Sequence, residues 1–276
     1  MSYRWTLDDI DWDAFVPERV DADLLKTVKT ASLVEANSAD YVAYLNNVFP
    51  DDADFQAAAE QWGREEAQHG AALGRWAEIA DPDFDFQHSL ELFRAGFRLP
   101  LEVSQSVRGS QAGELIARSV VESGTSSFYS AIRDATDEPV LKEVCRRIAI
   151  DEFHHYQLFQ KHLKHYADAA ELNRFQRLKI AVTRVNEAED DEFAYAYFAA
   201  NVLPGDPDAV YDMDTYAQAY WRRAMALYRE QHLDNATRMI LRAVAIKPHG
   251  LFGDVSAKLF WKFVQWKVGR LEKIAA

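Results

Sequence analysis

The chain has 276 residues and a formal net charge of −13, from 31 Lys plus Arg against 44 Asp plus Glu. At roughly 100–200 residues per domain this is one large domain or two small ones with a full core, and so acidic a chain is a poor general binder of phosphate backbones, so no nucleic-acid partner is expected. One cysteine, Cys145, excludes an internal disulfide framework and any Cys-rich zinc or iron–sulfur site, and a cytoplasmic setting is the simplest expectation.

Residues 1–20 read as an acidic N-terminal segment without the basic-then-apolar order of a secretory leader. No run reaches the ~18 apolar residues that cross a bilayer, so no membrane span is expected. Helical periodicity then takes over. Asp21 is read as the N-cap of a helix to about residue 47, and Asp51 or Asp52 as the cap of a second ending near residue 80, before Asp81-Pro82. A looser stretch at 81–109 holds a short helix at 89–98. Ser110 caps a third long helix to about residue 134. Asp137-Glu138-Pro139 opens a fourth to about residue 167, since proline suits a first helical turn. A fifth spans 170–201, and after a loop at 204–213 three more fit 214–231, 234–246 and 254–274. No β-branched alternation is long enough for a strand. The expectation is an all-α fold: a bundle of long helices over 21–203, with the C-terminal helices of 204–276 packed on it in the same domain.

Two segments carry the same short pattern. Glu66 and His69 form one Glu-x-x-His, and Glu152 and His155 form the other. Positions i and i+3 share a helix face, so a carboxylate and an imidazole can grip one metal. Each pair sits at the middle of its helix, the second and the fourth. The first and third helices each hold one carboxylate at their own midpoint, Glu35 and Glu122. Antiparallel packing with short turns brings all four midpoints to one level, which is the ligand pattern of a carboxylate-bridged di-metal site. The glutamates also interrupt apolar seams: Val28, Glu35 and Val42 are seven apart, as are Leu115, Glu122 and Tyr129, and Cys145, Glu152 and Phe159. Four buried carboxylates at one level need cations or protons among them. Two divalent ions supply the balance, and oxygen-rich ligands favour iron or manganese. Spacing alone does not choose between Glu65 and Glu66, because Glu65, like Asp151, stands four residues before a histidine and also shares its face.

On these residues the chain resembles the ferritin-like di-iron carboxylate superfamily, and within it the soluble acyl-carrier-protein desaturases. Trp62-Gly63-Arg64-Glu65-Glu66-Ala67-Gln68-His69-Gly70 is similar to that family's Trp-x-x-Glu-Glu-x-x-His-Gly. Asp151-Glu152-Phe153-His154-His155 is similar to its Asp-Glu-x-x-His, and Glu122-Ser123-Gly124-Thr125 to its Glu-x-x-Thr. The likeness covers about residues 25–165. Gln68, His154 and Tyr156 depart from it, standing where the family usually has Arg, Arg and Glu. The resemblance implies a ferritin-like four-helix bundle with two Fe ions, or an Mn/Fe pair. It makes Glu66 and Glu152 bridging ligands and Glu35 and Glu122 terminal ones, with His69 and His155 completing the metals. It gives Trp62 and Asp151 a role in orienting the histidines and relaying electrons, and sets Thr125 beside the oxygen-binding face.

The expected activity is that of an O2-activating di-iron oxidase or oxygenase, an oxidoreductase acting on an apolar, fatty-acyl-like substrate. Phe49, Phe55, Phe84, Phe86, Phe93 and Phe97 are candidate walls of its tunnel. An electron donor such as ferredoxin or a reductase is implied, docking on a local basic face that includes Arg146, Arg147, Lys161 and Lys164, and a homodimer is suggested. Two alternatives stand beside this: a ferroxidase or rubrerythrin-like iron- or peroxide-handling protein, and a non-enzymatic helical scaffold with a vestigial site. His162, seven after His155, is read as a core or bundle-end histidine, with a role at the site as the alternative. The acidic run Glu187, Glu189, Asp190, Asp191 and Glu192 is read as a solvated face. The aromatic and basic run from Leu259 to Lys267 is read as docking on its own bundle, with a membrane surface or partner as the alternative.

Overall fold

The computed structural model of the chain describes residues 3–99, 101, 103, 105–166, 172–186 and 191–275. Every regular element among them is helical. The long elements are α1 (Ala22–Ala36), α2 (Ser38–Val48), α3 (Ala53–Ala80), α4 (Phe86–Gly96), α5 (Gln111–Ala135) and α6 (Pro139–Tyr166). They are followed by α7 (Arg174–Asn186), α8 (Asp191–Asn201), α9 (Met213–Ala226), α10 (Glu230–Ala243) and α11 (Leu251–Ala275). The central bundle pairs α1 with α3 and α5 with α6, and α3 meets α6 across it. The short connection at 49–52 turns the chain back from α2 into α3, and that at 136–138 from α5 into α6, so each of these neighbours is antiparallel. Helix α4 lies in the crossover from α3 to α5, α8 covers α1 and α4, α10 lies on α5, and α9 and α11 complete the outer layer. No described helix is long and apolar enough to cross a membrane.

The expected caps form. Asp21 accepts from Leu24 N at 2.8 Å, Asp52 from Phe55 N at 2.9 Å and Ser110 from Gly113 N at 3.0 Å. Each satisfies one of the orphan donors of a first turn, a contribution of about 1 kcal/mol. At the start of α6 the fully buried Glu138 accepts from Leu141 N at 2.7 Å and from Trp76 Nε1 at 2.7 Å. It also accepts from Val16 N at 3.1 Å. One carboxylate thus caps α6 and ties both α3 and the N-terminal segment to it. That segment carries three short 3-10 turns, Leu7–Asp9, Trp12–Ala14 and Pro17–Arg19.

Two helices expected as single elements are each two in the structure, and the others differ from expectation by a few residues at their ends. The helix expected over 21–47 is broken at Asn37 into α1 and α2. Helix α3 approaches closely beside the break: a Cβ on Gly70 would lie 2.5 Å from Ala36 N and 2.7 Å from Ala36 Cβ. The backbone groups freed by the break are taken from outside, since Arg94 Nη2 donates to Ala36 O at 2.9 Å. Ser38 Oγ then locks α2 to α3 by donating to Gly63 O at 2.7 Å. The helix expected over 170–201 is two elements with different neighbours, α7 against α5 and α8 against α1. Of the acidic run between them, Glu187, Glu189 and Asp190 lie outside the described residues. Glu192 is not solvated as expected: it is buried and accepts a hydrogen bond from Tyr41 Oη.

The core is two apolar clusters rather than one. Leu24, Val28, Leu73, Trp76, Ile132 and Cys145 belong to the first. Leu45, Phe55, Ala59, Leu115, Phe159 and Leu163 belong to the second. On each bundle helix the chain passes from one cluster to the other through a glutamate, at Glu35, Glu66, Glu122 and Glu152. Large side chains such as Trp76 and Phe159 contribute about 1.5–3 kcal/mol each by burial, and this apolar packing on both sides holds the polar layer dry.

Candidate metal centre

The four glutamates of that layer and the two histidines one turn away converge. Glu35, Glu66, His69 and Glu152 form one group of close donor atoms, and Glu66, Glu122, Glu152 and His155 form another, each with all its atoms within 4.8 Å of one another. Glu66 and Glu152 belong to both. All six side chains are at least nine-tenths buried.

The histidines are held by the acids that precede the shared glutamates. His69 Nε2 lies 3.2 Å from Asp151 Oδ2, and His155 Nε2 lies 2.8 Å from Glu65 Oε2. The arrangement is reciprocal: the acid on α3 fixes the histidine on α6, and the acid on α6 fixes the one on α3. A carboxylate beside Nε2 favours the proton there and leaves the Nδ1 lone pair for the interior of the layer. Both Nδ1 atoms do point inward. His69 Nδ1 is 3.1 Å from Glu152 Oε1, and His155 Nδ1 is 2.9 Å from Glu66 Oε1. The geometry also separates Glu65 from Glu66. Glu65 accepts from Gln61 and faces His155 Nε2, outside both donor groups, whereas Glu66 is in both.

Each of the six residues leaves one buried donor atom without a hydrogen-bond partner: Glu35 Oε2, Glu66 Oε1, His69 Nδ1, Glu122 Oε2, Glu152 Oε1 and His155 Nδ1. Native proteins pair nearly all such atoms, and an orphan costs about 1–3 kcal/mol. Six orphans facing one another are what a pair of cations would satisfy, so the residues present fit the metal pair that the spacing suggested. The electrostatics agree. Burial and the charges of Glu152 and Glu35 push the Glu66 carboxyl well above its ordinary range. Burial and Glu152 push Glu122 up to about 8. For Glu35 burial is outweighed by the neighbouring Glu66 and His69 and by the hydrogen bond from Tyr129, and its carboxyl is lowered. Burial disfavours the charged form of both histidines, yet the surrounding carboxylates raise them well above the imidazole range. The close carboxylates thus raise one another and both imidazoles, which is the repulsion that cations would relieve.

The other expected site residues are distributed as follows. Thr125 Oγ1 donates to Glu152 Oε2 and also lies 3.3 Å from Val121 O on its own helix. Asp151 receives Trp5 Nε1 at 2.7 Å and Arg4 Nη1 at 3.2 Å. Trp62 packs edge-on against Phe159 at 5.7 Å, its Nε1 is buried without a hydrogen-bond partner, and it lines the small cavity beside the four glutamates. Trp5 also reaches the histidine–carboxylate pair, its ring stacking on His69 with centroids 6.1 Å apart. His162 stands outside both donor groups, edge-on to Phe55 at 5.1 Å.

Trp5 and Arg4 carry no sequence signal, because they precede the helices and follow no period. Tyr129 had one. It stands seven residues after Glu122 on the same stripe, and it donates to Glu35 Oε1.

A small cavity of about 90 Å3 touches Glu35, Glu66, Glu122 and Glu152. A larger one, about 420 Å3 and mostly apolar, is walled by α5 and the C-terminal helices, including Val120, Tyr220, Trp221, Leu233, Ile240 and Phe260. Val121, Thr125, Phe128, Arg184 and Phe193 line both. The aromatics of the first crossover are not its walls: Phe49 and Phe55 belong to one apolar core, and Phe84 and Phe93 to the other. On the expected basic face, Arg146 and Arg147 both pair with Glu143 at 2.7 Å.

No family model matches the chain, and no curated protein matches it.

Proposed function

We propose that the chain is an O2-activating di-iron oxidase or oxygenase with a ferritin-like bundle, acting on an apolar substrate. The observation that carries this reading is the set of six orphaned, inward-facing donor atoms, one on each of the six residues in register. Glu35 and His69 would hold one ion and Glu122 and His155 the other, with Glu66 and Glu152 shared. Four carboxylates balance two divalent charges, and this oxygen-rich set suits iron or manganese. An iron pair held by these residues would, when reduced, supply electrons for O2-dependent oxidation of a nearby C–H bond.

The chain's own residues do the rest. Asp151 and Glu65 hold the Nε2 protons of the histidines, and this keeps each Nδ1 aimed inward. Tyr129 and Thr125 fix the outer oxygens of Glu35 and Glu152. The two apolar cores exclude bulk water above and below. Trp5, Asp151 and His69 form a hydrogen-bonded line from the N-terminal segment to the layer, a route for an electron from an external donor such as ferredoxin or a reductase. The shared wall at Val121, Thr125 and Phe128 gives an apolar substrate a place beside the site, and this favours an oxidase over a ferroxidase.

Oxygen consumption by the Fe(II)-loaded chain tests the reading, with and without fatty acids, fatty alcohols and acyl thioesters. Acceleration of about tenfold or more by one class, with a product altered in mass, is the expected result. Consumption that tracks iron alone and ignores every apolar compound would favour iron handling instead.

A further inference from the structure

Helix α11 has two apolar faces. Gly253, Ala257 and Val264 are buried against the rest of the molecule. On the opposite side Leu251, Phe252, Val255, Leu259, Phe263 and Trp266 are exposed, Leu259 at 62% and Trp266 at 58%. At 3.6 residues per turn these six fall within about 120° of the helix circumference. Soluble helices turn a polar face outward, so a contiguous apolar stripe of this kind marks a contact surface. Lys262 stands within this arc and Lys258 about 20° outside it, and Arg270 stands over the Trp266 ring at 5.8 Å.

Charge identifies the occupant. Over residues 251–275 five basic residues face two acidic ones, in a chain whose net charge is −13. Asp254 is already paired, at 2.9 Å from Arg238 Nη2. The acidic remainder of the molecule is screened beyond about 8–10 Å at ordinary salt, so a surface meeting α11 feels the local lysines. A two-fold contact of this stripe with its own copy would set Lys258, Lys262 and Arg270 against like charges. An anionic lipid surface complements both the stripe and its border, because apolar side chains enter the acyl boundary while lysines reach the headgroups. Phe263 joins this stripe to the interior: it is exposed, and it also lines the large apolar cavity beside Phe260, Val264 and Lys267.

We propose that α11 is an interfacial helix that seats this face of the protein, and with it the edge of the apolar cavity, on an anionic membrane surface. The proposal needs no bound metal and stands apart from the oxidase reading.

Vesicle flotation of the full chain tests it, using phosphatidylcholine alone and an equimolar mixture with phosphatidylglycerol. The parent is expected to float with the mixed vesicles, several-fold less with phosphatidylcholine, and less again at high salt. The double change Leu259→Ser and Phe263→Ser, and separately Lys258→Glu with Lys262→Glu, should each weaken binding at least about tenfold. Circular dichroism should show unchanged helix content, since all four side chains are exposed. A folded parent that stays in the load fraction overturns the proposal. So does undiminished flotation of both double variants. If the parent does not float and is instead a dimer that the serine changes dissociate, the stripe is a contact between copies and the lipid proposal is equally overturned.

Discussion

Glu66→Gln should have opposite effects on stability and on metal binding. In the metal-free chain Glu66 is a buried carboxyl raised by burial and by the charges of Glu152 and Glu35. The amide keeps the shape and removes that repulsion. The unfolding midpoint of the metal-free protein should therefore rise, by about 2–4 °C for each kcal/mol recovered, while metal binding falls. Calorimetry of both proteins, with and without metal, reads this directly, and a variant less stable than the parent when metal-free would contradict it. Asp151→Asn tests the orienting role, because the amide no longer holds the Nε2 proton of His69 as a carboxylate does. Metal affinity should drop about 10–100-fold, with a smaller loss for Trp5→Phe, as followed by competition with a chelator. An Asp151→Asn affinity equal to the parent's would remove Asp151 from that role. At this scale the sequence was informative where a residue sits on a helix with a period. Glu35, Glu66, Glu122 and Glu152 interrupt seams and so reveal themselves. Trp5 reaches His69 by a path through irregular chain that no periodicity encodes.

Helix contacts set the register of these residues, and glycine shows where the tolerance lies. A Cβ on Gly70 would collide with the backbone and side chain of Ala36, one residue from Glu35, whereas one on Gly124 would meet nothing within 4 Å. Gly70→Ala should cost about 1–3 kcal/mol by overpacking and lower metal affinity through Glu35. Gly124→Ala should be neutral or stabilising by up to about 1 kcal/mol, from helix propensity. Denaturant melts of the two variants decide it, and equal stabilities would show that α1 and α3 can separate freely. A second contact joins α5 to α10, where Asp134 receives Arg133 and lies 3.0 Å from His232 Nε2. Those partners hold its carboxyl down at about 2, from an ordinary 3.8. A depressed carboxylate stabilises the fold above its unfolded value and loses that contribution as pH falls through its folded value. The parent should thus lose part of its stability between about pH 4 and pH 2, and Asp134→Asn should lose less over that window. The caps at Asp21, Asp52 and Ser110 were legible because capping is local. The break at Asn37 was not, because no Pro or Gly marks it locally and the groups that meet it, Gly70 and Arg94, come from distant segments.

Across the whole molecule, a polar layer divides the interior into two apolar cores, and the outer helices add an apolar cavity on one side of it. The all-helical class follows from periodicity alone. The position of the cavity does not, since its walls come from α5, α7, α8, α9, α10 and α11 together, and only three-dimensional packing selects these aromatics over Phe49 or Phe55. The layer leaves six donor atoms unpaired at the centre of an otherwise well-packed bundle. Binding of two cations there is the claim on which the functional reading stands. Metal stoichiometry after anaerobic Fe(II) loading tests it most directly, for the parent and for Glu122→Ala and His155→Ala. About two ions per parent chain, and clearly fewer in each folded variant, are expected. A folded parent that retains no stoichiometric metal would contradict it.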